Sequence, residues 1–337
     1  MVQPTRNFAM GFTTWSFGPR LQDVNATYSF IQNNADVYVE HLDNSIPWNA
    51  WINDLPLPIE FTNEIQGKAS RKPPNTTFAL SVGLLNLNRD NLATDLDGSL
   101  PTYTRLNDSD ITMAYTKHVA YLVDQFAPDY LTIAIEVNEL WLQNNSLWQG
   151  YTLLIDQVIA DTKIAYPELK ISVSISLHNL YQATLPNAEA YNQVILDHIN
   201  QMDFVAISYY PFLKNQSAVT DFQETLDFLH NNTNKPIAFV ESGHIAEDLV
   251  VPNLNVSIAG DPGQQNSFLE ILLGNAQVQN YEFVIWWAHR DYDALWETFP
   301  TELRDLGQLW RDTGLLDENG AERLSYTTWQ SYFNDNQ

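Results

Sequence analysis

Apolar positions along this chain follow two alternating rhythms. Short β-branched or aromatic runs bounded by polar residues read as strands at 9–13, 37–41, 78–84, 131–137, 171–176, 204–208, 237–240 and 283–287. Between several of them lie stretches whose apolar residues recur three or four apart, the period of a helix with one buried face. These are 110–126, 147–165, 187–199, 220–230 and 264–275. Eight strands alternating with helices predict an α/β fold in which a parallel sheet closes on itself. The expected architecture is a (β/α)8, or TIM, barrel, taken as a single domain over residues 1–337. An open doubly wound sheet would carry a glycine-rich turn after its first strand. Gly11-Phe12-Thr13-Thr14-Trp15 is not such a turn.

The barrel makes a sharp demand, because the loops that follow the strands form its working face. This chain puts polar and aromatic residues at those points. Strand one ends in Thr14-Trp15 and strand two in Glu40-His41, with Asp43 just beyond. Strand four ends in Asn138-Glu139, strand five in His178-Asn179, and strand six in Ser208-Tyr209-Tyr210. Strand seven ends in Glu241-Ser242, and strand eight in Trp286-Trp287 followed by His289.

Composition narrows the chemistry. The 337 residues suit one barrel of roughly 250 residues plus insertions. Lys+Arg number 16 against 41 Asp+Glu, a net charge of −25. Such an acidic surface repels nucleic acid and anionic membranes and favours a neutral or weakly charged substrate. Without cysteine there are no disulfides, thiol nucleophiles or zinc–thiolate sites. No apolar run approaches the ~18 residues of a membrane span. The start, from Met1 to Met10, has no signal-peptide core, so an export signal is expected to have been removed already. A monomer is expected.

Two strands that should be wholly apolar end in carboxylates: Ile133-Ala-Ile-Glu-Val-Asn-Glu139 and Ala238-Phe-Val-Glu241-Ser-Gly243. The ends of strands four and seven face each other across a barrel mouth. Hydrolysis of a glycoside with retention needs two carboxyl groups about 5–5.5 Å apart, one attacking the anomeric carbon and one protonating the leaving oxygen. Like charges that close push one pKa upward, which keeps the acid protonated.

Asn138-Glu139 after strand four, Glu241 after strand seven and a Trp at strand eight resemble the pattern of the glycosidase clan GH-A. Ile207-Ser-Tyr-Tyr-Pro-Phe212 is similar to the strand-six signature of family 53 endo-β-1,4-galactanases (arabinogalactanases). The resemblance implies a secreted retaining β-glycoside hydrolase acting in polysaccharide degradation, extracellular or periplasmic, endo-acting and without a cofactor. It implies Glu139 as acid/base, Glu241 as nucleophile and Asn138 on the sugar 2-hydroxyl. An aromatic on strand six often bonds the nucleophile in the clan; alternation selects Tyr210, with Ser208 on the same side. Many members carry an arginine near the end of strand two, where this chain has Glu40-His41-Leu42-Asp43.

Local competitors stand beside these readings. Glu136 lacks a preceding Asn and reads as a buried support residue. Trp286 and Trp287 adjoin, so one faces inward to stack on the sugar and one outward. Trp15, Trp48, Trp51, Trp141 and Trp148 lie in or near loops and suit either a saccharide cleft or loop packing. His41, His178 and His289 lack metal-ligand spacing and suit hydrogen bonds to substrate or to the glutamates, so no metal is expected. Asp95-Leu-Asp97-Gly98 reads as a solvated loop rather than a calcium loop. Galactan is the first expected substrate. Mannan, xylan and β-glucan, or a non-catalytic carbohydrate-binding barrel, are the alternatives.

Overall fold

The computed structural model describes residues 5–43, 45–74 and 76–334. Part of the stretch from which the chain start was read, residues 1–4, lies outside the described residues. Among the described residues eleven strands form: β1 (Ala9–Thr13), β2 (Val37–Leu42), β3 (Thr77–Val82), β4 (Tyr130–Thr132), β5 (Lys170–Ser172), β6 (Ser174–Ser176), β7 (Val205–Tyr209), β8 (Ile237–Ser242), β9 (Leu249–Val251), β10 (Val256–Ile258) and β11 (Phe283–Trp286). Nine of them make one parallel sheet in the order β5-β4-β3-β2-β1-β11-β8-β7-β6. β9 and β10 form a separate antiparallel pair.

The two ends of that sheet are halves of one barrel strand, interrupted only at Val173. Backbone bonds cross the interruption: Ile133 N–H donates to Ser172 O at 2.9 Å, and Ser174 N–H donates to Ala134 O at 2.9 Å. On the other side β6 pairs with β7. The sheet therefore closes into the eight-position TIM barrel.

Alternation along each strand divides the core in two. Val37, Val39, Ala79, Phe204, Ala206, Ala238, Val240, Phe283 and Ile285 fill the barrel interior. The alternate residues, such as Met10, Phe12, Tyr38, Leu80, Ile207 and Trp286, pack outward among the helices. Gly11 is required where β1 crowds β2, since a Cβ there would lie 1.7 Å from Val37 O. Helices at Ser109–Phe126, Trp148–Ala165, Ala188–Ile199, Val219–Asn232 and Pro262–Gln279 lie on the five expected stretches. Further helices form at Leu21–Asn34, Ile59–Ala69 and Leu324–Asn334. Among the described residues no helix is long and apolar enough to cross a membrane.

Candidate active site

β8 delivers Glu241 through a change of register. Ile207 pairs with Phe239, but Ser208 pairs with Glu241, so Val240 is an extra residue in the ladder. A bulge of this kind lets two successive side chains serve the same side of a sheet. Val240 stays in the barrel interior while Glu241 turns into the pocket at the mouth. There the Tyr210 hydroxyl donates to Glu241 Oε2 at 3.1 Å, and His41 Nδ1 lies 3.4 Å from Oε1. Burial holds the Glu241 carboxyl well above the ordinary value, reinforced by the charge of Glu136 and opposed by Arg89 and the Tyr210 bond. Burial pushes His41 down to about 4, so its ring is neutral near pH 7.

The β4 end departs from its expected course. The strand stops at Thr132, five residues before the predicted end at Val137, and Glu136 takes a left-handed conformation with φ 50°. Such a backbone is rare for a non-glycine residue and costs on the order of 1–3 kcal/mol. It is held by the Glu136 N–H donating to Ser174 Oγ at 2.9 Å. The turn sends the Glu136 side chain into the pocket with Glu241. Its Oε1 accepts from Ser208 Oγ at 2.8 Å, and its Oε2 lies 3.3 Å from Arg89 Nη2.

Glu139 goes elsewhere. A helix begins at Asn138, and the Glu139 carboxylate accepts from Ser176 Oγ and, at 2.7 Å, from Asn179 Nδ2. Burial raises its pKa despite the bond from Ser176. Glu139 does not line the pocket that holds Glu136 and Glu241. Asn138 is also spent on the scaffold: its Nδ2 donates to Ser176 O at 3.1 Å and Tyr191 OH at 2.9 Å, and its Oδ1 accepts from Ser176 N at 2.8 Å. The Asn-Glu pair thus braces strand four against strand five.

Arg89 was not anticipated from the sequence. It sits in a tight hairpin after β3, where Leu85 bridges Leu92 and Arg89 has φ 57°. Its guanidinium grips Asp43 with two bonds, at 3.0 and 2.7 Å, and reaches Glu136 with one arm. The arginine that the resemblance placed on strand two is absent there; a cation arrives from the neighbouring loop instead. Glu40 is turned outward from the barrel mouth, where it accepts from Thr14 Oγ1 at 2.8 Å and pairs with Lys68 at 3.1 Å.

The order within the tryptophan doublet is resolved. Trp287 lines the pocket, whereas Trp286 is fully buried on the helix side and donates from Nε1 to Thr313 O at 2.8 Å. Trp15 packs on Trp287 with ring centres 5.1 Å apart, and His41 meets Trp287 edge-on at 5.2 Å. The remaining wall comes from Tyr292, Phe299, Leu303, Leu306 and Trp310, enclosing a cavity of about 340 Å³. His178 lies behind it, accepting from the Tyr210 N–H at 3.5 Å, and His289 is caged by Phe12, Phe17 and Phe30. Burial pushes both histidines down to about 3. Trp48, Trp51, Trp141 and Trp148 pack against the hydrophobic core away from the pocket.

Among the described residues, two carboxylate groupings could in principle hold a metal: Glu247, Asp291 and Glu318, and Asp291, Asp293 and Asp312. Each is bridged by an arginine, Arg323 between Asp291 and Glu247 and Arg311 between Asp293 and Asp312. Asp95 and Asp97 bind backbone N–H groups of their own loop.

Comparison with known proteins bears on this geometry. Residues 107–257 match the model of glycosyl hydrolase family 53, a span that includes Glu136, Tyr210 and Glu241. The fold is similar to the family 53 catalytic domain of Ignisphaera aggregans at 15% identity and TM-score 0.62, covering 98% of each chain. It is similar to fungal β-1,4-galactanases at 13% identity and TM-score 0.59, over 92% of this chain and 91% of that one. An exo-β-1,4-mannosidase from an Opitutaceae bacterium matches with 9% identity and TM-score 0.69, over 98% of this chain and 60% of its own. No curated protein sequence matches.

Proposed function

We infer that this chain, a glycoside hydrolase carrying a family 53 region over residues 107–257, cleaves a neutral β-linked polysaccharide with retention of configuration. The observation that carries the reading is the meeting of Glu241 and Glu136 in one aromatic-walled pocket at the barrel mouth. In this reading Glu241 is the nucleophile and Glu136, rather than Glu139, is the acid/base.

Attack requires Glu241 as the carboxylate, against the burial that raises its pKa, with Glu136 entering as the acid. Glu241 attacks the anomeric carbon as the bond to the leaving oxygen breaks, and Glu136 gives its proton to that oxygen. A glycosyl ester of Glu241 results. Glu136, now a base, takes a proton from water as the water oxygen displaces Glu241, and the sugar leaves with its original anomeric configuration. The Tyr210 hydroxyl steadies the Glu241 oxygen that does not attack. Ser208 and Arg89 fix the Glu136 carboxyl. Trp287 offers a flat apolar face to the sugar ring.

β-1,4-Galactan is the first substrate to try, on the Ser208-Tyr-Tyr-Pro-Phe212 stretch and the family match. A polymer of that size also favours an enzyme working outside the cell. The test is reducing-sugar release from galactan, mannan, xylan and β-glucan, followed by NMR of the first product formed. Release from one of these with an initial β-anomer is expected. No release from any, or an initial α-anomer, overturns the reading.

A further inference from the structure

The pocket at the barrel mouth has one closed side. After β11 the chain makes two short helices, Asp293–Trp296 and Thr301–Gln308. They and their flanks bring Tyr292, Phe299, Leu303, Leu306 and Trp310 to the pocket. Trp15 joins this wall to the Trp287 platform: its ring centre lies 5.1 Å from Trp287, 5.7 Å from Tyr292 and 6.4 Å from Phe299. Trp310 meets Tyr210, the residue that bonds Glu241, at 5.9 Å. Glu136 is held instead by Arg89, on the hairpin that follows β3. In the barrel both β2 and β1 stand between β3 and β11, so the hairpin and the wall face each other across the mouth.

The wall is tied down. Tyr292 OH donates to Gly307 O at 2.7 Å, and Trp296 Nε1 donates to Arg304 O at 2.8 Å. The Arg304 guanidinium donates to Glu297 O at 2.8 Å and to Phe299 O at 3.1 Å, and Asn253 Nδ2 donates to Asp305 Oδ2 at 2.8 Å. Gly307 packs so closely on Phe299 that a Cβ there would lie 2.5 Å from the ring. The space left is about 340 Å³, near the lower end of the ~300–1,000 Å³ usual for sites that enclose a small molecule. The indole N–H groups of Trp15, Trp287 and Trp310 are buried and, among the described residues, have no hydrogen-bond partner. A buried donor left in that state is costly, and the hydroxyls of a sugar ring are acceptors that relieve it.

We propose that the enzyme is exo-acting: the pocket takes the terminal, non-reducing unit of the glycan and releases it as a monosaccharide. The resemblance implies cuts within the chain, and the wall argues against them. The proposal rests on the retaining cleavage by Glu241 and Glu136 inferred above. The acid must stand beside the leaving oxygen, so the rest of the chain departs on the Glu136 side, where Leu87 at the rim is exposed to solvent. The unit under attack lies over Trp287 and against Glu241. A further sugar on its non-reducing side would have to occupy the space already filled by Phe299, Leu306 and Trp310.

The test uses β-1,4-linked tetraoses of galactose, mannose, xylose and glucose, each tagged with a fluorescent amine at its reducing end. From any that is cut, the first products should be a monosaccharide and a tagged triose. The same tetraose methylated at its terminal 4-hydroxyl should show a kcat/KM about 10–100-fold lower, as expected of a methyl group forced into a packed site. Phe299→Ala combined with Leu306→Ala should bring the methylated-to-free ratio back toward one. A ratio does not depend on how much of the preparation is folded. A shorter tagged fragment as first product, equal rates on the two substrates in the wild type, or an unchanged ratio in the double variant would overturn exo-action while leaving the glycosidase reading standing. No cleavage of any tetraose, nor of aryl β-glycosides of the four sugars, would overturn that reading itself.

Discussion

The ends of β8 and β4 bring carboxylates to one pocket by different departures from a straight strand. At β8 the ladder continues past an extra residue, and Glu241 enters a buried niche faced by a tyrosine hydroxyl and a neutral histidine. At β4 the ladder stops, and a left-handed residue swings Glu136 toward a cation and a serine. The first environment resists charge through burial; the second supplies a positive partner for it. Two identical side chains are thus given unequal company, so that ionising Glu241 works against its burial while Glu136 stands beside a cation.

The largest effect that would separate the two ends is expected from Glu241→Ala, a loss of turnover by roughly four to six orders of magnitude. Added azide should not restore a product of retained configuration. Glu136→Ala should cost about 10²–10⁴-fold on substrates with poor leaving groups and far less on aryl glycosides with good ones. Azide should then yield a β-glycosyl azide, detectable by chromatography. Glu139→Ala is the sharpening control. It should leave the ratio between good and poor leaving groups unchanged and lower Tm, because Ser176 and Asn179 lose their acceptor. If Glu139→Ala gives the azide adduct and Glu136→Ala does not, the roles belong the other way round.

Smaller effects probe the surroundings. Trp287→Ala should lower kcat as well as raise KM, by about 10–100-fold in kcat/KM, because binding used to distort the ring appears in turnover. Trp286→Ala should instead destabilise the fold by about 3–5 kcal/mol, read by denaturant titration. The smallest expected change is in pH dependence. Glu241 must be ionised to attack and its pKa is raised, so activity should fall, on acidification, at a pH above the ordinary glutamate value of about 4.3. Arg89 opposes that rise; Arg89→Met should therefore move the acid limb of kcat/KM still higher. An unmoved limb would mean that Arg89 acts only by holding Asp43.

Most of the barrel could be read from the chain because its signal is local. Alternating apolar residues mark each strand, and the same alternation placed Ser208 and Tyr210 on one side. The carboxylate at strand four was harder. A strand running to Val137 keeps Glu136 in the wall, and the Asn138-Glu139 doublet points to the next acid. What sends Glu136 rather than Glu139 into the pocket is one residue with positive φ and a helix starting two positions later, and glutamate carries no mark of a left-handed backbone. Arg89 was illegible for another reason. Its partner Asp43 is 46 residues away, and only closure of the hairpin over β2 brings them together. The tryptophan doublet sat between these cases: alternation said that one ring faces the pocket, and the strand register was needed to choose Trp287.

The extra residue at Val240 also has an evolutionary meaning. Strict alternation would leave one inward position at this end of β8, to serve either the apolar interior or the pocket. The added residue supplies two, Val240 for the first and Glu241 for the second. A one-residue insertion is thus a route by which a finished barrel acquires a reactive side chain at its rim while the packed layer beneath it stays whole.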